Sequence, residues 1–506
     1  MKLQACCLAA VLLCALAPAA RARLVTLAPT VEDTQAGCDA VKQQFAGNHN
    51  LVVVGATILA LDAANSVYPG GIVSVLNGTI NYVGPPSGFD LATAPANSVI
   101  LQLNASDIVL PGLINTHTHS AMTLLRGIGN DQNLSTWLND YIFPSEAALE
   151  DPGFIRAGVK IALAEYLQSG VTTFADMYFF QDDAAQVVSQ VGMRAVLGSG
   201  MIDFPQPDGA TPDIQLANAN AVIRKWKGHP LITPAISPHA PYTTSASVYA
   251  AAVNVSQYYD VPLLTHCAET ATEDADTRTH NKLGPNVTAI GYLQSVGALT
   301  NRTICAHTVW VDDADVALIV DSGTKVAHCP RSNLKLADGI MHYKQLTEAG
   351  VVVSIGTDGP ASNNIINLFG EMQTAALLHK GVSLDPTLLP AIEALRMATN
   401  QGARAINRFA DLGSIEVGKK GDFAIVDGDR ASLLPRYGGT ADDIAVRLVY
   451  AANDDIRATV VDGQVLYLNN CYTTLDVEAA YADAAGYAAN VTSFLAASAA
   501  NKTATN

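Results

Sequence analysis

Residues 111–127, PGLINTHTHSAMTLLRG, close an apolar run on two histidines separated by a single residue. In an extended strand, residues i and i+2 share a face, so His117 and His119 can present both imidazoles to one point at the strand's end. A metal ion asks for such a pair, but H-x-H also fits a strand that merely ends near the surface. The rest of the chain has to decide.

Downstream of this stretch, short apolar runs alternate with helical patterns as far as about residue 360. The strand candidates are 112–119, 171–178, 193–200, 231–239, 261–269, 303–310, 325–330 and 351–359. Between them lie stretches such as PGFIRAGVKIALAEYLQSG and DIQLANANAVIRKWKG, whose apolar residues recur at three and four. Eight such units over roughly 250 residues predict an α/β chain folded as a parallel (β/α)8 barrel, placed at 111–410. The alternative is an open doubly wound sheet, which lacks support because no glycine-rich phosphate turn follows the first strand.

On the N-terminal side, residues 23–110 read as a small antiparallel β unit in which Asn77-Gly78 marks a hairpin. The β pattern returns at 411–475, and these segments are expected to pair with the N-terminal ones as a small β-sandwich domain assembled from both ends of the chain. Residues 476–506 are alanine-rich and predict a helical tail without candidate chemistry.

Residues 1–22 have the form of a signal peptide: Lys2, an apolar stretch from Leu8 to Leu16, then Ala20-Arg21-Ala22 as a small-x-small cleavage site. A secreted, extracellular protein with no membrane attachment after cleavage is the expectation, and an uncleaved anchor the alternative. Sequons at Asn77, Asn104, Asn133, Asn254, Asn286, Asn301, Asn490 and Asn501 suit a glycoprotein. Of the cysteines that remain, Cys38 and Cys471 lie near the two ends and are candidates to pair in an oxidising compartment. Cys267, Cys305 and Cys329 sit in apolar runs and are expected to pack as small hydrophobes. A formal net charge of −17 over 506 residues repels phosphate backbones and argues against nucleic-acid partners.

The polar residues gather where barrel active sites lie, at the C-terminal ends of the strand candidates. They are His117 and His119, His239, His266 and Glu269, His307, His328 and Asp358. Neutral imidazoles with a carboxylate suit zinc or ferrous iron, and a metal with an open position brings bound water near neutrality, to about pKa 7. Glu269, three residues after His266, is placed to carry protons between water, substrate nitrogen and leaving group. Asp358 is a candidate both to bind metal and to orient the hydroxide.

The stretches GLINTHTHSAMTLLRG, WLNDYIFPSE, FADMYF, SPHAPY, THCAET, CAHTVWV, HCPRSNLKLADGI and GTDGPASNN occur in order along nearly the whole chain. In these the sequence resembles the amidohydrolase superfamily, in the branch of methylthioadenosine and S-adenosylhomocysteine deaminases and chlorotriazine hydrolases. The resemblance implies one divalent metal, with zinc preferred over iron, on His117, His119, His266 and Asp358. It also implies Glu269 as general acid and base, with His307 assisting. Strand four offers no lysine to bridge a second metal. The resemblance further implies that Trp137, Glu146 and His239 contact a nucleoside-like substrate, Glu146 through ribose hydroxyls, and that homo-oligomers are the common assembly.

The implied activity is metal-hydroxide attack on an amino-substituted heterocycle, with an adenosine-type nucleoside the leading substrate. The alternatives are displacement of chloride or alkylamine from a triazine-like ring, opening of a cyclic amide, or a non-catalytic secreted binding protein. Where homocysteine-adduct deaminases place an arginine after the third strand, MRAVLGSGM offers Ser199, and DFPQPDGATPD supplies no second arginine. A substrate carboxylate would then lack a charge-assisted partner, a loss on the order of 1.5 to 3 kcal/mol. His328 reads as a supporting residue, Ser332 or Asn333 as holding the pocket-rim loop, and Lys335 as a solvated loop lysine.

Overall fold

The computed structural model describes residues 23–26, 35–45, 47–95, 97–453 and 455–504. The leader at 1–22 lies outside the described residues.

Eight parallel strands follow one another around a barrel: β1 Leu113–Thr118, β2 Val171–Tyr178, β3 Arg194–Met201, β4 Ile232–Pro238, β5 Leu263–Cys267, β6 Thr303–His307, β7 Lys325–His328 and β8 Val353–Ile355. Seven fall within the span predicted from their apolar runs, and β3 runs one residue past its own. The seam between β8 and β1 is closed by Thr116 Oγ1 donating to Ile355 O at 2.8 Å. Just beyond it, the N–H groups of Thr357 and Asp358 donate to His117 O at 3.1 and 3.0 Å. At Gly356 a Cβ would lie 2.8 Å from His117 Cβ, so only glycine lets these strands approach.

Below the site the barrel is filled by one apolar side chain from each of several strands: Ile114, Val196, Leu264 and Ile304 interleave with the small Ala175, Ala235 and Ala327. Alternating large and small residues fill a tapered interior without a channel. Outside, the helix Pro152–Gln168 starts on an Asp151 cap bonded to Phe154 N, with proline at its first position. The helix Pro212–Trp226 repeats the device with Thr211 and Pro212. Both buried faces pack into the continuous core between helices and barrel.

The two ends of the chain build the second layer structure, as expected. A seven-stranded sheet has Phe423–Val426 antiparallel to Ile108–Pro111, so residues more than 300 apart in sequence share a ladder. A five-stranded sheet stacks on it through Leu51, Val53, Val73, Ile58, Ile425 and Val460. Asn77 and Gly78 both adopt positive φ, 50° and 75°, in a two-residue turn joining Ile72–Leu76 to Thr79–Gly84, the mirror-image turn that matches strand twist.

The unit is nevertheless mixed rather than antiparallel. Val99–Gln102 runs parallel to both Leu51–Val54 and Arg23–Thr26, and Thr57–Leu59 parallel to Ile108–Pro111. The intervening hairpin and short helical turns carry the chain back across the sandwich before each of these pairings, and that reversal leaves no local mark in the sequence.

Cys38 and Cys471 form a disulfide across 433 residues, with Cα atoms 5.3 Å apart. The expectation for Cys267 and Cys305 is corrected: they too are joined, across neighbouring strands β5 and β6, with Cα atoms 5.4 Å apart. Their apolar flanks reflect burial beneath the outer helices and carry no information about pairing. Cys329 is buried and free.

At the floor of the barrel, Arg194 donates from Nε and Nη2 to the two carboxylate oxygens of Asp422, at 2.7 and 3.0 Å, tying β3 to the sandwich. The C-terminal helix, Val477–Ala504, lies against the helix Pro152–Gln168 through Lys160–Asp483 at 2.8 Å and the ring pair Phe154–Tyr487. Among the described residues no helix is long and apolar enough to cross a membrane.

Candidate metal centre and active-site pocket

Three imidazoles and a carboxylate converge over the C-terminal mouth of the barrel. One ligand atom each from His117, His266, His307 and Asp358 lies within 4.8 Å of the others. His119 joins them, its Nε2 standing 3.2 Å from Asp358 Oδ1 and 3.3 Å from His266 Nε2. His117 Nε2 is 3.3 Å from the same Asp358 oxygen and is buried with no hydrogen-bond partner. His307 and Asp358 lie just where their strands end and adopt φ of 70° and 60°. These left-handed turns, uncommon outside glycine, re-aim both side chains into the barrel mouth.

The ring orientations are fixed from behind. His119 Nδ1 meets Met177 O at 2.6 Å, and His266 Nδ1 meets His239 O at 2.8 Å. A carbonyl oxygen only accepts, so both Nδ1 atoms carry the proton and both Nε2 atoms present lone pairs. Two lone pairs facing each other at 3.3 Å, beside an unpartnered Nε2 and a carboxylate oxygen, fit a shared cation. The carbonyl behind each ring is the support that metal-binding histidines commonly receive.

Asp358 is held in the same way. Its Oδ2 accepts from Ser332 Oγ at 2.6 Å and Ser362 Oγ at 2.7 Å, leaving Oδ1 toward the histidines. Burial opposes its charge, but the close imidazoles of His117 and His119 hold the carboxyl well below its usual range. Asn333 Oδ1 lies 2.8 Å from His307 Nδ1. Ser332 and Asn333 therefore do more than hold the rim loop, because each braces a residue of the cluster directly.

Glu269 is buried with Oε1 3.5 Å from His307 Nε2. Burial, followed by the charges of Asp338, Asp358 and Glu273, pushes its carboxyl well above the usual range. Glu273 places it by accepting from the N–H groups of Ala268 and Glu269 at 2.7 and 2.6 Å. Sequence reasoning passed over Glu273, although an acid four residues after Glu269 was the available signal.

A pocket of about 860 Å³, including its open mouth, rises over the cluster. Glu269, His307 and Asp358 form part of its floor, and Trp137, Glu146 and His239 all line it. Trp137 donates from Nε1 to Ile128 O at 3.3 Å, which sets its ring in the wall. His239 keeps Nδ1 on Thr243 Oγ1 at 2.7 Å, and burial lowers its pKa to about 3. Much of the remaining wall is apolar, with Met122, Leu138, Phe143, Phe179 and Phe204. Among the described residues, no lysine or arginine lines it.

Ser199 is buried but does not line the pocket; the wall positions on β3 are Gly200 and Met201. Ser199 lies on the face of β3 opposite Val196, which fills the barrel interior, and its short side chain does not reach the pocket. His328 packs Nε2 to Nε2 against His379 at 3.1 Å, away from the pocket, in the supporting role expected. Lys335 is tied to Ala361 O and to Asn364 instead of being solvated.

A barrel whose strand ends carry converging imidazoles, one carboxylate and a buried glutamate defines the class of metal-dependent barrel hydrolases. The amidohydrolase family profile matches residues 108–466, and the chain belongs to that family. It is accordingly a hydrolase acting on carbon–nitrogen bonds other than peptide bonds. The 5-methylthioadenosine/S-adenosylhomocysteine deaminase 1 of Syntrophus aciditrophicus is 38% identical over 432 residues, 85% of this chain and 95% of that protein. The corresponding deaminase of Moorella thermoacetica is 39% identical over 416 residues, 81% of this chain and 93% of the relative. Among solved structures, an adenosine deaminase from Xanthomonas campestris with bound zinc superposes with a TM-score of 0.83 at 34% identity, covering 88% of this chain and 99% of its own. An atrazine chlorohydrolase from Arthrobacter aurescens shares the fold, with a TM-score of 0.78 at 23% identity over 87% of this chain and all of the other.

Proposed function

We propose that the chain is a secreted, zinc-dependent aminohydrolase that converts an adenosine-type nucleoside to its 6-oxo form and releases ammonia. The observation that carries this reading is the facing pair His119 Nε2 and His266 Nε2, with Asp358 Oδ1 beside them and the buried Glu269 adjoining, at the floor of a pocket sized for a nucleoside. His117, His119, His266 and Asp358 would hold the metal, which when bound lowers the pKa of water toward about 7 and so makes hydroxide available at neutral pH.

The protein's own groups supply the rest. Glu269 gives its proton to the ring nitrogen beside the amino-bearing carbon as the water oxygen bonds to that carbon. It takes up the first proton the water oxygen gives up and delivers it to the amine, which leaves as ammonia; the second proton returns to Glu269 as the oxygen becomes a carbonyl. His307, oriented by Asn333, points Nε2 toward Glu269 and the reacting oxygen. Glu146 accepts from substrate hydroxyls, and Trp137 and His239 flank the base.

The absence of a basic side chain from the pocket wall, among the described residues, supports a nucleoside with a neutral or apolar 5′ end, such as adenosine or methylthioadenosine, over one ending in a carboxylate. A secreted glycoprotein is supported by the two disulfides and by the exposure of Asn77, Asn104, Asn133, Asn254, Asn286, Asn301 and Asn490. Metal analysis of the purified protein, with ammonia release measured across purines, nucleosides and triazines, tests the reading. Zinc with turnover of adenosine or methylthioadenosine is expected. Chloride or alkylamine release from triazines without nucleoside turnover would overturn it.

A further inference from the structure

Glu146 and Glu150 stand one helical turn apart at the end of the helix Phe143–Leu149, and both reach the same tyrosine. Tyr178 Oη lies 2.9 Å from Glu146 Oε1 and 2.5 Å from Glu150 Oε1. Glu146 and Tyr178 line the pocket, whereas Glu150 stands behind them. A phenol has one proton, so it can donate to only one of the two carboxyl groups. For both short contacts to be hydrogen bonds, one carboxyl must itself carry a proton and donate to Tyr178 Oη.

Several observations place that proton on Glu150. Its Oε2 is buried without a hydrogen-bond partner, a modest cost for a neutral carbonyl oxygen and a severe one for an anion. The titratable groups facing the pair are Tyr178 and His119 from the barrel wall and Asp208 from the loop after β3. Asp208 and Glu146 both disfavour charge on Glu150. Asp151, next in the chain, is engaged with Phe154 N and Tyr487. Burial raises both carboxyls, Glu146 to about 7 and Glu150 well above the usual range.

We propose that Glu150 is a positioning residue that stays protonated, donates to Tyr178 Oη and turns the tyrosine O–H onto Glu146, leaving Glu146 as the carboxylate that accepts from a vicinal diol of the substrate. The identity of the diol rests on the nucleoside reading above; the placement of the proton does not. Deprotonating Glu150 leaves one proton for three oxygen groups, so Tyr178 is drawn away from Glu146 and diol recognition weakens.

The test follows kcat and KM of the metal-loaded enzyme from neutral to alkaline pH with adenosine and with 2′,3′-dideoxyadenosine, alongside infrared spectra of the same proteins. In the wild type, KM for adenosine should rise roughly tenfold or more at alkaline pH, with kcat much less affected and no such rise for the dideoxy substrate. Glu150→Gln, whose amide donates at every pH, should flatten that rise and remove one protonated-carboxyl band at neutral pH. Glu150→Ala should raise KM for adenosine roughly tenfold throughout. Tyr178→Phe should shift the same band to higher frequency, which keeps the test open if the Glu150 variants fold poorly. An alkaline KM rise that persists in Glu150→Gln, or a band unaffected by Glu150→Gln and Tyr178→Phe, overturns the proposal. A wild type that deaminates no nucleoside but shows the band changes overturns the nucleoside reading and leaves the proton on Glu150.

Discussion

His119 and His266 point bare Nε2 atoms at each other across 3.3 Å, each ring pinned from behind by a backbone carbonyl. Without a cation between them this arrangement is repulsive, so metal binding should stabilise the fold measurably. Metal at a thousandfold excess over Kd contributes about 4 kcal/mol. Thermal unfolding with and without chelator should show a large drop in Tm for the wild type and a much smaller one for His266→Ala. Equal Tm values with and without chelator would count against a metal at this position.

Glu269→Gln keeps the shape and neutrality of a protonated glutamate, so metal content and Tm should stay close to those of the wild type. Activity should fall by roughly two to four orders of magnitude, because the amide cannot shuttle a proton. Metal analysis together with ammonia release checks this; full activity with full metal would remove Glu269 from the chemistry.

The bidentate Arg194–Asp422 pair is buried between barrel and sandwich, with Arg194 only 1% exposed. Asp422→Ala strands a guanidinium and should cost roughly 3 to 5 kcal/mol in denaturant unfolding. The double change Arg194→Met with Asp422→Leu should recover most of that loss, since an apolar pair of similar volume needs no partner.

His328 and His379 share a contact in which one Nε2 must donate and the other accept. Burial lowers the pKa of His379 to about 4. Between its usual value near 6.5 and about 4 the unfolded chain binds more protons than the folded one, so this contribution to stability is present above pH 6.5 and is lost as pH falls toward 4. His379→Asn should flatten stability against pH in that window by on the order of 3 kcal/mol, as read from denaturation midpoints.

Much of this was legible in the chain itself. Apolar runs ending in His117, His119, His266, His307 and Asp358 mark strand ends, because side chains lining a barrel mouth must occur where the hydrophobic pattern stops. What escaped is what depends on contacts between distant elements. Glu273 acts on backbone N–H groups, Tyr178 joins Glu146 to Glu150 across 28 to 32 residues, and the Cys267–Cys305 bridge spans a β–α–β unit. Whether Ser199 itself reaches the pocket depends on which way one strand residue faces, and the apolar run of β3 has no alternation to reveal it.

The shared ladder between Ile108–Pro111 and Phe423–Val426 bears on how the molecule is made. At about 5 to 20 residues per second, the N-terminal strand waits on the order of tens of seconds for its partner to be synthesised. Through that interval it presents an unpaired edge, the kind of surface that chaperones cover and that aggregation exploits. The barrel, by contrast, draws all its strands from one uninterrupted stretch and can assemble first. Closure of the sandwich, joined by Cys38 and Cys471, must therefore wait for the C-terminal strands.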